Sequence, residues 1–223
     1  IIIIREGEEL GQIWGPVFTG VDQDGQPLFA DLNGDGIVIA NPSNALAENA
    51  DYSVLGNGIP SLTAGWTQRI SWRKWSLSTL FRGVFGHSLV NTARLFYEPV
   101  LPITSEYNNV VTDLAVPGLG ATHYSSLYVE KANFIKLDNI SLSHRFNITK
   151  EQHKMTIALT GQNVRLWTKY TGLDPEAAIL DYGTASNGEF INFNAPDIGS
   201  PGIDRRHHYW PAQTYTLSIR LDL

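Results

Sequence analysis

Apolar and polar residues alternate without a break from Gln213 to Leu223. Tyr215, Leu217, Ile219, Leu221 and Leu223 take every second position, and Thr214, Thr216, Ser218, Arg220 and Asp222 fill the gaps. Successive side chains of a β-strand point to opposite faces, so the segment predicts a strand with one apolar and one polar face. A tilted strand needs ~9–11 residues to cross a bilayer, and this segment has that length. An edge strand of a soluble β-sandwich would show the same alternation. At this point both readings stand.

The same period recurs upstream. Leu62, Ala64, Trp66, Ile70 and Trp72 share one face, and Thr63, Thr67, Arg69 and Ser71 share the other. After a turn near Arg73–Lys74, Trp75, Leu77, Phe81 and Phe85 oppose Ser76, Ser78 and Arg82, so residues 61–87 predict a hairpin. Tryptophans flanking a basic turn suit the membrane interface, where amphipathic rings lie at headgroup depth. In a sandwich they would be core. Residues 132–146 predict a strand that changes phase: Ile135 and Leu137 are odd, whereas Ile140, Leu142 and Phe146 are even. A bulge near Asp138–Asn139 accounts for the switch. A turn at Lys150–His153 leads into a returning strand, where Met155, Ile157 and Leu159 alternate with Thr156, Thr160 and Gln162. That strand is the expected partner of the last one.

Elsewhere the period fades. Ile1–Glu9 reads as the end of a strand, and residues 11–20 as either a strand or a packed aromatic loop. Residues 23–57, 91–126 and 165–210 read as long loops rich in Asp, Asn, Gly and Pro. Such loops count against a compact soluble domain but are ordinary in outer-membrane barrels, which pair short turns with long loops. Five or six strands are expected here, and the smallest bacterial barrels take about 8. An open sheet edge in lipid leaves backbone groups unpaired, so the remaining wall is expected to lie outside these residues.

Composition moves the balance towards lipid. Charged residues make up 17% of the chain and aromatic residues 11%, against about 25% charged in ordinary soluble domains. No run approaches the ~20 apolar residues of a membrane helix. The net charge of −6 offers no basic footprint for nucleic acid. The absence of cysteine removes disulfides, thiol catalysis and thiolate metal sites. Ile1–Ile4 has neither the length nor the basic flank of a signal peptide. The chain starts without Met, and a missing N-terminal part is the expectation.

Several stretches in order resemble the C-terminal part of a SusC/RagA-like TonB-dependent outer-membrane transporter of Bacteroidetes. They are Arg5-Glu-Gly-Glu-Glu-Leu-Gly, Asp31-Leu-Asn-Gly-Asp-Gly, Phe81-Arg-Gly-Val-Phe-Gly-His with Asn91, the run from Tyr128 to Leu142, Thr160-Gly-Gln-Asn-Val, the run from Trp167 to Glu176, and the run from Tyr209 to Leu217. The stretch Leu173-Asp174-Pro175-Glu176 is the most telling. The resemblance implies an all-β fold: the C-terminal strands of a large antiparallel transmembrane β-barrel of the 22-stranded type, with long extracellular loops. It implies multi-pass residence in the outer membrane and active import of a nutrient, an oligosaccharide before a peptide. The implied partners are a SusD-like surface lipoprotein, and the TonB complex through an N-terminal part and plug that these residues lack. Many such barrels end on Phe, and this chain ends on Leu223. The competing readings are a secreted β-sandwich that binds carbohydrate and a small self-contained porin-like barrel.

Candidate sites are few. Asp31, Asn33 and Asp35 before Gly36 match the first half of a calcium loop, with calcium as the one candidate cofactor. The bidentate Glu that such a loop needs at its twelfth position is replaced by Pro42. A turn held by Asx hydrogen bonds explains the same residues without an ion. His207 and His208 follow Asp204, Arg205 and Arg206, but adjacent residues of an extended chain point apart, which suits a solvated loop end better than joint ligation. Phe96, Tyr97, Tyr107 and Tyr124 can stack on sugar rings as substrate-binding residues, or pack the loop down, or meet the lipoprotein. Arg69 and Arg82 would face a barrel lumen and pair there with plug carboxylates or tune selectivity. Asp174 and Glu176 lack the context of an acid–base pair. The expectation is a scaffold and not an enzyme.

Overall fold

A computed structural model describes residues 2–100, 110–148, 153–176, 201–204 and 212–222. The fold is all-β. Its strands are β1 (Ile2–Ile3), β2 (Gln12–Gly15), β3 (Phe18–Val21), β4 (Pro27–Phe29), β5 (Ser53–Asn57), β6 (Leu62–Trp72), β7 (Trp75–Phe85) and β8 (Ser88–Asn91). They continue with β9 (Val129–Lys131), β10 (Phe134–Asn147), β11 (Lys154–Thr168), β12 (Ile203–Asp204) and β13 (Thr214–Asp222). One α-helix, α1 (Thr92–Tyr97), is found among the described residues. The chain divides into two compact units that it visits alternately.

The first unit comprises Ser61–Phe85, Asn133–Lys169 and Tyr209–Leu223. It is one sheet in the order β13-β11-β10-β7-β6, antiparallel throughout. Its register carries the alternation seen in the sequence across every strand. Ile70, Leu77, Leu142, Leu159 and Leu217 stand side by side as one aliphatic row. The neighbouring row is Arg69, Ser78, Ser141, Thr160 and Thr216. A one-residue slip in any strand would move its whole apolar set to the other face, so the bulge is what keeps β10 in step. The register shifts between Leu137 and Asn139, where the phase switch predicts it. Asn163, with φ of 53°, accompanies the shift on the β11 side.

The second unit comprises Ile1–Pro60, Gly86–Ala132 and Tyr170–His208. Small sheets β1-β2-β5 and β12-β8-β9 and the hairpin β3-β4 are joined by irregular chain. Leu95, Leu119 and Tyr128 form a core, with Val21, Phe96, Val116 and Leu127 packed around it. A Cβ on Gly58 would collide with the backbone of Pro201 and Gly202, so only glycine permits that approach.

Three expectations need correction. The stretch 23–57 is not all loop, because β4 and β5 lie in it. The stretch 91–126 contains α1, capped by the Asn91 side chain, which accepts from the Arg94 amide at 3.1 Å. β11 runs to Thr168, so the last loop begins after the predicted Arg165. In addition, the strand expected at Ile1–Glu9 is only Ile2–Ile3, and residues 11–20 hold two short strands. The turn centred on Lys150–Gln152 lies outside the described residues.

Candidate functional site

The five-stranded sheet has two unlike faces. On one, Leu62, Trp66, Ile70, Trp72, Leu142, Leu159, Trp167 and the β13 residues Tyr215, Leu217, Ile219 and Leu221 are all exposed. Leu217 keeps 65% of its accessible surface and Trp66 61%. Those fractions are far from those of a core, so nothing among the described residues covers this face. Monomeric soluble proteins rarely leave so large an apolar patch open. Trp72 and Trp75 face each other across the two-residue turn, and the Arg73 guanidinium lies 5.0 Å from the centre of the Trp72 ring. The row continues through His144, whose ring meets Trp75 at 4.4 Å and Phe146 at 4.3 Å. A basic tip beside an aromatic row is the chemistry of a headgroup interface. Gln68 and Thr79 interrupt the apolar face near mid-strand, side by side.

The opposite face is hydroxyl-rich. Ser141 and Thr160 lie 3.0 Å apart, and Arg69 is exposed across from Ser78. Arg82, expected to look outward to carboxylates of another domain, is held by its own sheet. Its Nε donates to Asp138 Oδ2 at 2.7 Å and its Nη2 to Oδ1 at 3.3 Å, with Lys136 Nζ 3.7 Å from the same carboxylate. Asp138 is the extra residue of the bulge, which turns it towards Arg82 on the polar side. The phase break in the sequence marks this position, but only the register shows its partner.

In the loop-rich unit the polar side chains are used for internal bracing. Arg94 is 6% exposed. It donates to Glu98 Oε1 at 2.8 Å, to Glu130 Oε1 at 2.8 Å, and to the carbonyls of Leu127 and Leu114. Glu130 also accepts from Asn91, at 3.2 Å, and from the amide and hydroxyl of Thr171. Burial alone would raise the Glu130 pKa, but the Arg94 guanidinium and the Thr171 donors hold it below the usual glutamate value. Burial likewise opposes the Arg94 charge, and the two glutamates outweigh it. Burial pushes the Tyr128 phenol, stacked beneath Arg94, up to about 12.

Asp204 receives the Tyr170 hydroxyl at 2.7 Å and the Leu173 amide at 3.1 Å, and its carbonyl accepts from the Thr92 hydroxyl. His87 Nε2 is 2.9 Å from the Pro175 carbonyl oxygen. The Leu173–Glu176 stretch and Asp204 are therefore structural ties. His207 and His208 lie outside the described residues.

The predicted aromatic residues divide. Phe96 packs on the Leu95 core and meets Tyr124 edge to face, with ring centres 6.4 Å apart. Tyr97 is half-buried, Tyr124 is 37% exposed, and Tyr107 lies outside the described residues. At the Asp31 turn, both Asp31 oxygens accept backbone amides, from Gly34 at 2.7 Å and Gly36 at 2.9 Å. Asn33 accepts from the Asp35 amide, and Asp35 from that of Ile37. These are Asx contacts that brace the turn by themselves. No group of three or more His, Asp or Glu residues suited to a metal ion occurs among the described residues.

Sequence reasoning missed Asp51. It is fully buried and accepts the amides of Leu32 and Ile39, both at 2.7 Å. Those hydrogen bonds, Ile39 first, hold its pKa below the usual aspartate value. Tyr52 reinforces the tie by donating to the Ala40 carbonyl at 2.9 Å. In front of this anchor lies an open cleft of about 570 Å3, lined by Pro27, Leu28, Phe29, Val38, Ala40 and His123, with Asn41 and Pro42 at its end. An acid surrounded by loop residues carries no periodic signal, which is why it was not legible.

Three TonB-dependent receptors of Formosa agariphila are similar to this chain. One is 25% identical over 83% of the chain and 22% of its own length. Another is 25% identical over 69% of the chain and 16% of its length, and a third 27% over 68% and 16%. The chain thus spans about a fifth of the length of the curated relatives it matches. In fold it is similar to a chain of the RagAB peptide transporter, with a TM-score of 0.63 at 17% identity, covering 95% of this chain and 22% of that one. The open-open state of the RagAB peptide importer gives a TM-score of 0.61 at 18% identity over 96% and 23%. No family model matches. The resemblance to SusC/RagA-like TonB-dependent transporters, read from the motifs, is borne out in both sequence and fold.

Proposed function

We propose that these residues build part of the wall and extracellular loops of a SusC/RagA-type, TonB-dependent importer in the outer membrane. One observation carries the reading: a five-stranded antiparallel sheet leaves a continuous apolar face uncovered and opposes it with a face of serine, threonine and arginine. In a bilayer that arrangement puts the apolar rows against lipid and the hydroxyl-rich rows against a lumen. The two-residue turn at Arg73–Lys74 then lies on the periplasmic side, where such barrels keep their short turns.

On this reading the strands belong to the C-terminal portion of a wall of the 22-stranded type. Cargo passes under a SusD-like lipoprotein, and the TonB complex supplies the work through a plug domain. The wall itself performs no chemistry. Family resemblance favours an oligosaccharide as cargo. A peptide is the second reading, supported by a largely apolar cleft in the loop-rich unit, between whose lining segments the chain carries Asp31 and Asp35. A secreted β-sandwich fits less well, because it would need a second layer over Leu217 and its neighbours.

Fractionation of the native cells tests the proposal. The protein is expected to sediment with the outer membrane and to require detergent for release. Recovery in the soluble fraction without detergent would sink it.

A further inference from the structure

Residues 6–68 contain nine carboxylates and no Lys, Arg or His. Apart from His123, the lining of the cleft held by Asp51 lies within this run. Leu28 and Phe29 form one wall, Val38 and Ala40 the other, and the loop that joins the two walls carries Asp31 and Asp35. The turn leading into Pro27 carries Asp22 and Asp24. Asp51 reaches both sides at once: Leu32 follows the first wall, and Ile39 sits between two lining residues of the second. The groove is therefore fixed from behind before anything enters it.

Its lining is apolar and open. Leu28 and Val38 each keep 47% of their surface. The Phe29 ring meets that of His123 at a tilt, with centres 4.6 Å apart. The volume is within the ~300–1,000 Å3 range of small-ligand sites. Proline and aromatic residues along a groove match extended peptide chains, which dock without having to form secondary structure first. Asp22, Asp24, Asp31 and Asp35 stand within five residues of the lining in sequence, and they bias the charge of what would dock, since the 6–68 run contains no Lys, Arg or His.

We infer that this cleft docks an extended cargo peptide carrying Lys or Arg beside apolar side chains. The apolar side chains would fill the space between Leu28, Phe29 and Val38. The cationic groups would meet Asp22 and Asp24 at one end and Asp31 and Asp35 at the other. A neutral oligosaccharide would gain nothing from those charges and would have to dehydrate against an aliphatic wall. As a statement about cargo the inference rests on the transporter reading, but the binding is measurable without transport.

The test uses the full-length protein in detergent and a fluorescein-labelled hexapeptide, Lys-Pro-Leu-Lys-Pro-Leu, followed by anisotropy. The lysine peptide should bind, and the same peptide with Glu for Lys should not. Raising the salt from ~50 to ~500 mM should weaken binding several-fold, because it shortens the Debye length to a few Å. Asp24→Asn with Asp35→Asn should cost roughly tenfold in affinity, as expected for rim charges acting together. Leu28→Ser with Val38→Ser should also weaken binding while leaving the salt dependence unchanged. Equal binding of the glutamate peptide to the unaltered protein overturns the inference, whatever the variants do. So does competition by maltohexaose, or an unchanged affinity in Asp24→Asn/Asp35→Asn. A protein that sediments with the outer membrane but ignores the lysine peptide keeps the transporter reading and loses this one.

Discussion

Glu130 shows how a single side chain can brace several strands of loop. Its carboxylate joins Arg94 on α1, Asn91 at the end of β8 and Thr171 after β11. Replacing Glu130 by Gln keeps the shape but removes the charge facing a nearly buried guanidinium. Arg94 retains Glu98, so the expected loss is that of a charge-assisted hydrogen bond, about 1.5–3 kcal/mol. Amide exchange at Thr171 is the direct readout, and it should be faster in Glu130→Gln. The pH dependence follows from the lowered pKa. The stability from a depressed carboxylate is fully present above its ordinary value, here 4.5, and is lost as pH falls through the lower folded value. The gap between Glu130→Gln and the unaltered protein should therefore close in acid below that point. Sequence alone marks Glu130 and Arg94 only as two charges among many. Their meeting depends on a loop crossing that no period encodes.

At the level of the strand, β13 is the clearest test of the two-faced sheet. Ile219 lies beside Ile157 on the apolar face, and Ser218 beside Ala158 on the other. Ile219 shares its row with Ile157, His144 and Trp75, so in a bilayer a lysine there should cost roughly 1 kcal/mol, the lipid-side penalty near the headgroups, against ~2–4 kcal/mol at the midplane. The same lysine at Ser218 should be tolerated, because it points to the lumen. Folding yield into lipid vesicles, compared for Ile219→Lys and Ser218→Lys, separates the two. Equal yields would contradict a lipid-facing assignment. The element scale is also where the sequence was most legible. The β6–β7 turn, the β10 bulge and the β11–β13 pairing all follow from period-two alternation, since a slip by one residue would reverse the faces. Short elements such as α1 and β5 escaped because six and five residues are too few to establish a period.

For the whole molecule, the outer strands of the large sheet matter most. β6 and β13 each have one neighbour in it, so among the described residues each presents an unpaired edge. Lipid cannot satisfy free amide and carbonyl groups, at several kcal/mol each, and an open sheet in a bilayer is unstable. Residues 1–223 expressed alone should therefore fail to give a closed barrel that changes its gel mobility on heating. A heat-modifiable monomer from this segment would count against placement in a larger wall. The two compact units divide the labour: long alternating strands in one, and buried ion pairs and loop ties in the other.

Alternation, composition and the order of the motifs were enough to read the strands, their faces, the bulge and the likeness to TonB-dependent transporters. Those properties are local, because each depends on which residue stands two positions away. The partner of Arg82, the bracing of Arg94 and the groove behind which Asp51 sits were decided by tertiary structure alone. Asp51 is separated in sequence by 19 residues from Leu32 and 12 from Ile39. A contact across such distances depends on how the loops cross, and that path is set by the whole fold rather than by any repeating pattern.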